Sequence, residues 1–112
     1  MIPLNEKIRR VGRYLAEIES HTYHYTHNRD VLPYIVWHED GEANSFHADD
    51  RKDIQVISLS VDYFTKTEFD PTIDAIQTLF NSKEWRWSLD LVQYEEDTET
   101  IHYSWSVEIA DI

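Results

Sequence analysis

The sequence contains no cysteine and only two glycines and three prolines among its 112 residues. Without cysteine, a disulfide framework, a thiolate metal site and cysteine-based catalysis are all excluded. The scarcity of glycine and proline leaves little room for linkers between domains. No apolar run approaches the roughly 18 residues of a membrane-spanning helix. We therefore predict one domain, residues 1–112, in a reducing compartment or in a particle assembled in one, with no membrane association.

Basic residues are also scarce: 10 Lys and Arg stand against 22 Asp and Glu, which gives a formal net charge of −12. Nucleic-acid binding needs a basic surface that releases counterions, so we expect no specific nucleic-acid binding. The charge can serve solubility alone, or it can form a surface that must not adhere to passing nucleic acid. Residues 88–112 contain no Lys or Arg, whereas the first 29 residues are comparatively basic. The two ends of the chain thus carry complementary charge, which can serve folding or contact between subunits.

The segment Gln55–Phe80 predicts a strand, a turn and a helix. Apolar and polar side chains alternate along Val56–Phe64, the period of a half-buried strand. Its predicted core positions are Ile57, Leu59, Val61 and Tyr63, with Ser58 and Ser60 on the other face. Asp70 is a favourable N-cap, and a helix is predicted over Pro71–Asn81. The apolar face of this strand and the apolar stripe of this helix must be buried against other elements of the chain.

The rest of the chain supplies those partners. Apolar steps of three and four predict an amphipathic first helix with Gly12 in its middle, and alternating runs predict strands. The additional predicted elements are helix Leu4–Glu19 and strands His21–His27, Leu32–Glu39, Arg86–Tyr94 and Ile101–Ile109. The order α-β-β-β-α-β-β predicts an α+β fold. In this fold, a mainly antiparallel sheet of four to five strands carries two helices packed on one face.

Alternation also assigns individual side chains to the core or to the solvent. In the final hairpin we predict core positions at Trp85, Trp87, Leu89, Leu91, Tyr103 and Trp105. In the first helix we predict a polar side that carries Lys7, Arg9, Arg10 and Arg13. Core packing of the tryptophans is preferred to a base-stacking platform because the chain is acidic.

The connection Asp40–Asp53 is predicted to be a long polar loop, and loops of this length in compact domains are often functional or ordered on binding. Phe46 is the one large apolar residue within it, and it either folds back on the core or anchors a neighbouring subunit. Arg51 and Lys52 are suited to contact the acidic C-terminal segment of a neighbour. Phe46, Arg51 and Lys52 are therefore the candidate subunit-interface residues.

No catalytic, cofactor-binding or metal motif is found, so we expect a protein that is not an enzyme and carries no cofactor. His21, His24 and His27 recur at steps of three, but on a strand His24 faces away from the other two. They are therefore interpreted as structural or surface histidines rather than as metal ligands. Paired acids such as Glu95 and Glu96 lie in turns, where charges are usually solvated.

Several segments together resemble small proteins from the tail gene clusters of long-tailed phages and prophages. These segments are Leu32–Trp37, Ser45–Asp49, Val61–Lys66, Phe69–Pro71, Tyr94–Glu96 and Ile101–Tyr103. In pattern and in element order, the chain resembles the tail-completion or tail-terminator family over nearly its whole length. Related head–tail connector proteins are similar in size and composition.

The resemblance implies a virion structural protein of α+β fold, assembled in the bacterial host cytoplasm. Such proteins form a hexameric ring at the head-proximal end of the tail, stop polymerisation of the tail tube and join it to the head. The implied partners are further copies of the chain, the tail-tube protein and the head–tail connector protein. The alternatives are another head–tail connector component, or a small acidic phage or bacterial protein that binds a host partner by mimicking nucleic acid.

Overall fold

The computed structural model describes residues 2–26, 31–44, 47–48, 51–52 and 55–110, with backbone pairing alone for residues within 44–52. In chain order the elements are α1 (Leu4–Ile18), β1 (Thr22–His24), β2 (Tyr34–Asn44), β3 (His47–Ala48), β4 (Arg51–Lys52), β5 (Val56–Thr65), α2 (Pro71–Ser82), β6 (Arg86–Glu95) and β7 (Thr100–Ile109). The class is α+β and the order of the principal elements is α-β-β-β-α-β-β, as predicted.

The principal sheet has the strand order β1-β2-β5-β7-β6, and all of its pairs are antiparallel except β1–β2. β5 lies at the centre, where Val61 pairs with Trp37 on one side and with Trp105 on the other. Directly opposite residues of antiparallel strands share a face, so this row continues across the sheet to Leu89. The strand predicted over Val56–Phe64 therefore lies at the centre of the sheet.

The core lies between one face of the sheet and the two helices. Along β5, buried and half-buried residues alternate without interruption from Val56 to Thr65, as the sequence pattern predicted. From the helices, the core receives Val11 and Leu15 of α1 and Ile76 and Phe80 of α2. The buried sheet residues are Ile35, Trp37, Ile57, Leu59, Val61, Tyr63, Trp105, Val107 and Ile109, joined by Trp85. Trp87 and Tyr103 are partly buried against this cluster.

Lys7 was predicted on the polar side of the first helix, and this prediction is wrong. It is fully buried, and its Nζ donates to the Gln55 carbonyl oxygen at 3.1 Å. Lys7, Val11 and Leu15 are spaced four residues apart and share one helix face. The aliphatic stem therefore packs with the core, while the amine reaches a backbone acceptor.

The predicted loop Asp40–Asp53 is largely a continuation of the β2–β5 hairpin. β2 runs on to Asn44, which pairs with Val56, and β3 and β4 pair with each other. Register shifts between Glu39 and Gly41 and between Glu42 and Asn44 break the period-2 pattern. Because β-bulges disturb alternation, a polar strand of this kind is read as a loop from its sequence.

The predicted strand His21–His27 is shorter in the structure. Only Thr22–His24 pairs, in parallel with β2. Tyr25 has a φ of 72°, in the left-handed region, which takes the backbone out of the strand. His27 lies outside the described residues.

The prediction that Leu91 lies on the core face is wrong, and Leu89 lies on the predicted face but is not buried. Leu89 pairs with Trp105 on the helix side of the sheet but is 42% exposed. Leu91 pairs with Ser104 on the opposite side, because the register of β6 shifts by one residue at Asp90. This bulge moves every residue after it to the other face.

Gly12 shows why a glycine is retained in the middle of α1. A Cβ added there would lie 2.9 Å from Cζ2 of the buried Trp37 ring. Although alanine gains up to ~1 kcal/mol in helix propensity, overpacking costs about 1–3 kcal/mol. We expect Gly12→Ala to lower the free energy of unfolding by about 1 kcal/mol in urea titrations.

Two variants separate the steric effect from the propensity effect. Ala16→Gly, on the exposed side of α1, should lose about 1 kcal/mol through propensity alone. In a Trp37→Phe background, where the clashing ring atoms are absent, Gly12→Ala should become neutral or stabilising. If Gly12→Ala stabilises the unmodified chain, the contact with Trp37 is not the reason for the glycine.

Candidate functional site

Five apolar side chains form an exposed surface on the helix side of the sheet, which we call the distal surface: Phe69, Val92, Tyr94, Ile101 and Tyr103. Phe69 is 90% exposed, Tyr94 56% and Val92 54%. Together with Lys66 and Glu68, they line a shallow depression of about 500 Å³. Exposed apolar clusters on a folded domain commonly mark sites of protein–protein contact.

The distal surface lies on the same side of the sheet as the core but beyond the helices. Val92 pairs with Tyr103 and Tyr94 pairs with Ile101, in the row that continues to Trp105 and Val107. Trp105 and Val107 are fully buried, whereas Val92 and Tyr94 are more than half exposed. The helix layer therefore covers one end of the β6–β7 hairpin and leaves the other end open.

A hydrogen-bonded turn holds Phe69 in its outward position. Phe69 has a φ of 57°, a region that bulky residues rarely adopt. The next residue, Asp70, caps α2 by accepting a hydrogen bond from the Thr72 amide at 2.9 Å. Its other carboxylate oxygen accepts from the Tyr63 hydroxyl at 2.7 Å and from the Thr65 hydroxyl at 2.8 Å. The backbone around Phe69 is thus fixed by groups buried in the sheet.

The protonation states of this network follow from burial and hydrogen bonding. Burial raises the pKa of the Tyr63 phenol well above its usual value, and the adjacent carboxylate of Asp70 raises it further. For Asp70, burial acts to raise the pKa, but the hydrogen bonds from Tyr63, Thr72 and Thr65 outweigh it and lower the pKa. At neutral pH the network is therefore a carboxylate held by neutral donors.

The bulge at Asp90 is the second feature that builds the distal surface. The Asp90 carboxylate accepts hydrogen bonds from Ser88, at 2.8 Å, and from Ser106 on the neighbouring strand. These hydrogen bonds lower the pKa of Asp90. The bulge brings Val92 and Tyr94 to the helix side, where a regular strand would have placed Leu91 and Gln93.

The surroundings of the distal surface are acidic. Glu68 lies in its lining, and the exposed turn between β6 and β7 carries Glu96, Asp97 and Glu99. Lys66 is the cation in the lining. An apolar centre beside an acidic turn suits a partner that presents apolar side chains flanked by basic ones.

A second polar cluster lies at the opposite edge of the sheet. His24 Nε2 is 2.7 Å from Glu39 Oε2, and the Tyr25 hydroxyl donates to the other oxygen of Glu39. The His24 ring stacks between Tyr25 and Trp37, with ring centroids 4.0 and 4.1 Å away.

In this cluster Glu39 is held as an ionised carboxylate by its hydrogen-bond donors. Burial would raise the pKa of Glu39, but the hydrogen bonds from Tyr25 and His24 lower it. The hydrogen bond to Glu39 raises the pKa of Tyr25. Glu39 accepts hydrogen bonds and activates no hydroxyl nucleophile. The cluster therefore has the geometry of a structural contact that connects β1 and β2.

The face of the sheet opposite the helices carries a serine, an aspartate and a histidine close together. Ser60 Oγ donates to Asp40 at 2.7 Å, and His38 Nδ1 is 3.0 Å from the same carboxylate. In a catalytic triad the histidine, rather than the aspartate, accepts the serine proton. Here the carboxylate lies between the other two groups, so this arrangement does not generate a nucleophile.

The interface residues predicted from the sequence are only partly placed by the structure. Phe46 lies outside the described residues. Arg51 and Lys52 form β4, and backbone pairing with β3 is all that the structure describes of them. Their suggested contact with the acidic segment of a neighbour stays a prediction.

Sequence reasoning missed Phe69, Val92 and Tyr94, although signals for them exist. A hydrophobic residue before an N-cap commonly packs against the fourth residue of the helix. In this chain that fourth residue is Asp74, so Phe69 has no such partner. The adjacent apolar pair Leu91–Val92 similarly marks a break in the alternation of β6, and hence a bulge.

Compared with known proteins, the sequence matches no protein-family model and no curated protein. Within the described ranges, neither helix has the length and apolar character needed to cross a membrane. Among these same residues, no group of three or more His, Asp or Glu side chains is placed to hold a metal ion.

Proposed function

We propose that this protein is a structural component of a phage tail, a tail-completion protein that caps the head-proximal end of the tail tube. It joins the tube to the head–tail connector and assembles with further copies of itself into a ring, which the resemblance implies is hexameric. The supporting observation is the distal surface, an apolar and preorganised patch on a rigid sheet. The family resemblance supplies the identity of the partners.

The geometry of the distal surface suits permanent docking. Interface energy is concentrated in a few large side chains, with aromatic residues prominent among them, and the distal surface presents Phe69, Tyr94 and Tyr103 together. Burying one fully exposed Phe side chain contributes about 1.5–3 kcal/mol. Because the Asp70 network fixes the backbone beside Phe69 in the free protein, little backbone conformational entropy is lost when a partner binds.

The test is a capping assay with a purified tail-tube protein of a long-tailed phage. The unmodified protein should shorten tubes grown in its presence and remain bound at their ends. Phe69→Ser should raise the concentration needed for capping by at least about tenfold, since it removes most of one apolar contact. Thermal unfolding should be almost unchanged, because the side chain is 90% exposed.

Leu91→Ser is the matched control. It removes an exposed apolar side chain, 39% exposed against 90% for Phe69, from the opposite face of the sheet, so it should cap tubes as the unmodified protein does. If the unmodified protein leaves tube length unchanged and fails to bind tubes or connectors, the proposed function is wrong. If it remains monomeric and co-purifies with a host DNA-binding protein, the alternative of an acidic mimic replaces it.

A further inference from the structure

β6 is a long strand at the edge of the sheet. It spans Arg86–Glu95, and no other strand in the described part of the chain pairs with its outer side. Most of its residues are exposed, including the apolar Leu89, Leu91, Val92 and Tyr94. Natural proteins usually shorten, charge or cover such an edge, because it is a template for pairing with another strand.

The bulge at Asp90 gives β6 an unusual symmetry. Before the bulge, Trp87 and Leu89 face the helix side; after it, Val92 and Tyr94 do so. The remaining residues, Arg86, Ser88, Asp90, Leu91, Gln93 and Glu95, belong to the opposite face. The sequence of faces is therefore the same when read from either end of the strand. A strand with regular alternation and an even number of residues lacks this property.

We propose that β6 pairs with β6 of a second copy of this chain, antiparallel and about a two-fold axis between Asp90 and Leu91. In this register Leu89 lies opposite Val92 of the second copy, and Trp87 lies opposite its Tyr94. Both pairs are apolar, and both lie wholly on the helix side. A two-fold axis perpendicular to the sheet keeps the helix layers of the two copies on one side, as this pairing requires.

Two of the three kinds of pair on the opposite face are also complementary. Arg86, whose side chain is 80% exposed, lies opposite Glu95 of the second copy, so opposite charges meet at both ends of the paired strands. Ser88 lies opposite Gln93, which pairs polar with polar. Asp90 and Leu91 meet at the axis, where the two bulges face each other and leave no unmatched residue. The Arg86–Glu95 charge pairs at the two ends and the apolar pairs between them thus favour the same antiparallel register of β6 with β6.

This contact is additional to the ring and does not rest on the function proposed above. A ring joins different surfaces of neighbouring subunits, whereas pairing of β6 with itself joins identical ones. It continues the sheet across both copies and places the two distal surfaces on the same side of that sheet, towards opposite ends of the paired strands. It also closes an edge that would otherwise recruit other strands.

The absence of cysteine allows the register to be tested directly by disulfide trapping. Leu89→Cys and Val92→Cys are prepared as separate variants, mixed, and oxidised mildly with diamide. Opposite residues of an antiparallel pair have Cα atoms about 4.5–5.5 Å apart, within the range of a disulfide. We expect a covalent dimer in the mixture that unites one chain of each variant.

Each variant oxidised alone provides the first control. Leu89 of one copy lies three residues along the strand from Leu89 of the other, about 10 Å, which is too far for a disulfide. The same distance separates the two copies of Val92. A mixture of Val92→Cys with Thr98→Cys, in the exposed β6–β7 turn, controls for random collision. Crosslinking in a single-variant sample as strong as in the Leu89–Val92 mixture would overturn the register.

Sedimentation equilibrium of the unmodified chain tests the contact itself. We expect a concentration-dependent dimer of twice the 13.4 kDa chain mass. Val92→Lys should weaken this association by at least about tenfold, because it places charge in an apolar pair of the edge strand. Thr98→Lys adds the same charge outside the contact and should leave association unchanged. A chain that stays monomeric throughout, or whose association is indifferent to Val92→Lys, would refute the proposal.

Discussion

Replacement of Trp105 by alanine is expected to lower the free energy of unfolding by about 3–5 kcal/mol, the range for truncation of a large core side chain. Trp105 is fully buried on β7, between Val61 of β5 and Leu89 of β6. Its ring lies edge-on to Phe80 of α2, with centroids 6.0 Å apart, and its Nε1 donates to Gln77 Oε1 at 3.1 Å. The residue therefore connects the sheet to the second helix.

Urea unfolding followed by far-UV circular dichroism measures this effect without relying on tryptophan fluorescence. Leu91→Ala is a suitable comparison, because Leu91 is 39% exposed on the opposite face and should lose less than about 1 kcal/mol. A loss of under about 1 kcal/mol for Trp105→Ala would mean that the core closes over the vacated volume or that Trp105 is not part of it.

Asp70→Ala is expected to destabilise the fold by about 2–4 kcal/mol. Loss of the N-cap contributes about 0.5–2 kcal/mol, and a buried hydroxyl left without a partner costs about 1–3 kcal/mol. The hydroxyls of Tyr63 and Thr65 both donate to the Asp70 carboxylate. Tyr63→Phe should be harmful in the unmodified chain but neutral or stabilising in the Asp70→Ala background. Strictly additive losses would show that the two groups are not coupled.

The same network gives a prediction for the dependence of stability on pH. The pKa of Asp70 is lower in the folded protein, so its carboxylate contributes stability that is fully present above the unfolded pKa of about 3.9. That contribution is lost as the pH falls through the lower, folded pKa. The difference in unfolding free energy between the unmodified chain and Asp70→Asn should therefore be constant near neutrality and shrink in acid. A difference that is unchanged at the lowest pH would contradict the assigned charge.

Much of the fold could be predicted because the alternation of apolar side chains and the identity of the capping residue are both visible in the sequence. The bounds predicted for β5, Val56–Phe64, differ from the observed Val56–Thr65 by one residue. For α2, the prediction of Pro71–Asn81 compares with the observed Pro71–Ser82. Asp70 and Pro71 set the start of that helix through local chemistry, and alternation set the buried face of β5.

The distal surface was not predicted because it depends on two interruptions of regular structure. Alternation in β6 assigned Leu91 to the core, whereas the bulge at Asp90 moved Val92 to that side. The bulge is fixed by hydrogen bonds from Ser88 and Ser106, and Ser106 belongs to another strand, so the local Leu91–Val92 pair marks a break in alternation without fixing where the bulge forms. Whether a face is covered also depends on where the helices end in space, and periodicity does not contain that information.

The turn between β5 and α2 also influences whether the β6–β7 hairpin pairs with β5 of its own chain or with β5 of another molecule. α2 and the β6–β7 hairpin follow this turn as one consecutive segment, and the hairpin joins the earlier part of the sheet through the β5–β7 pairing. If that pairing opened, the segment could dock on β5 of another molecule and form a domain-swapped pair. Asp70 ties the first residue of the segment to Tyr63 and Thr65 of β5. The buried carboxylate therefore acts as a latch that favours completion of the sheet within a single chain.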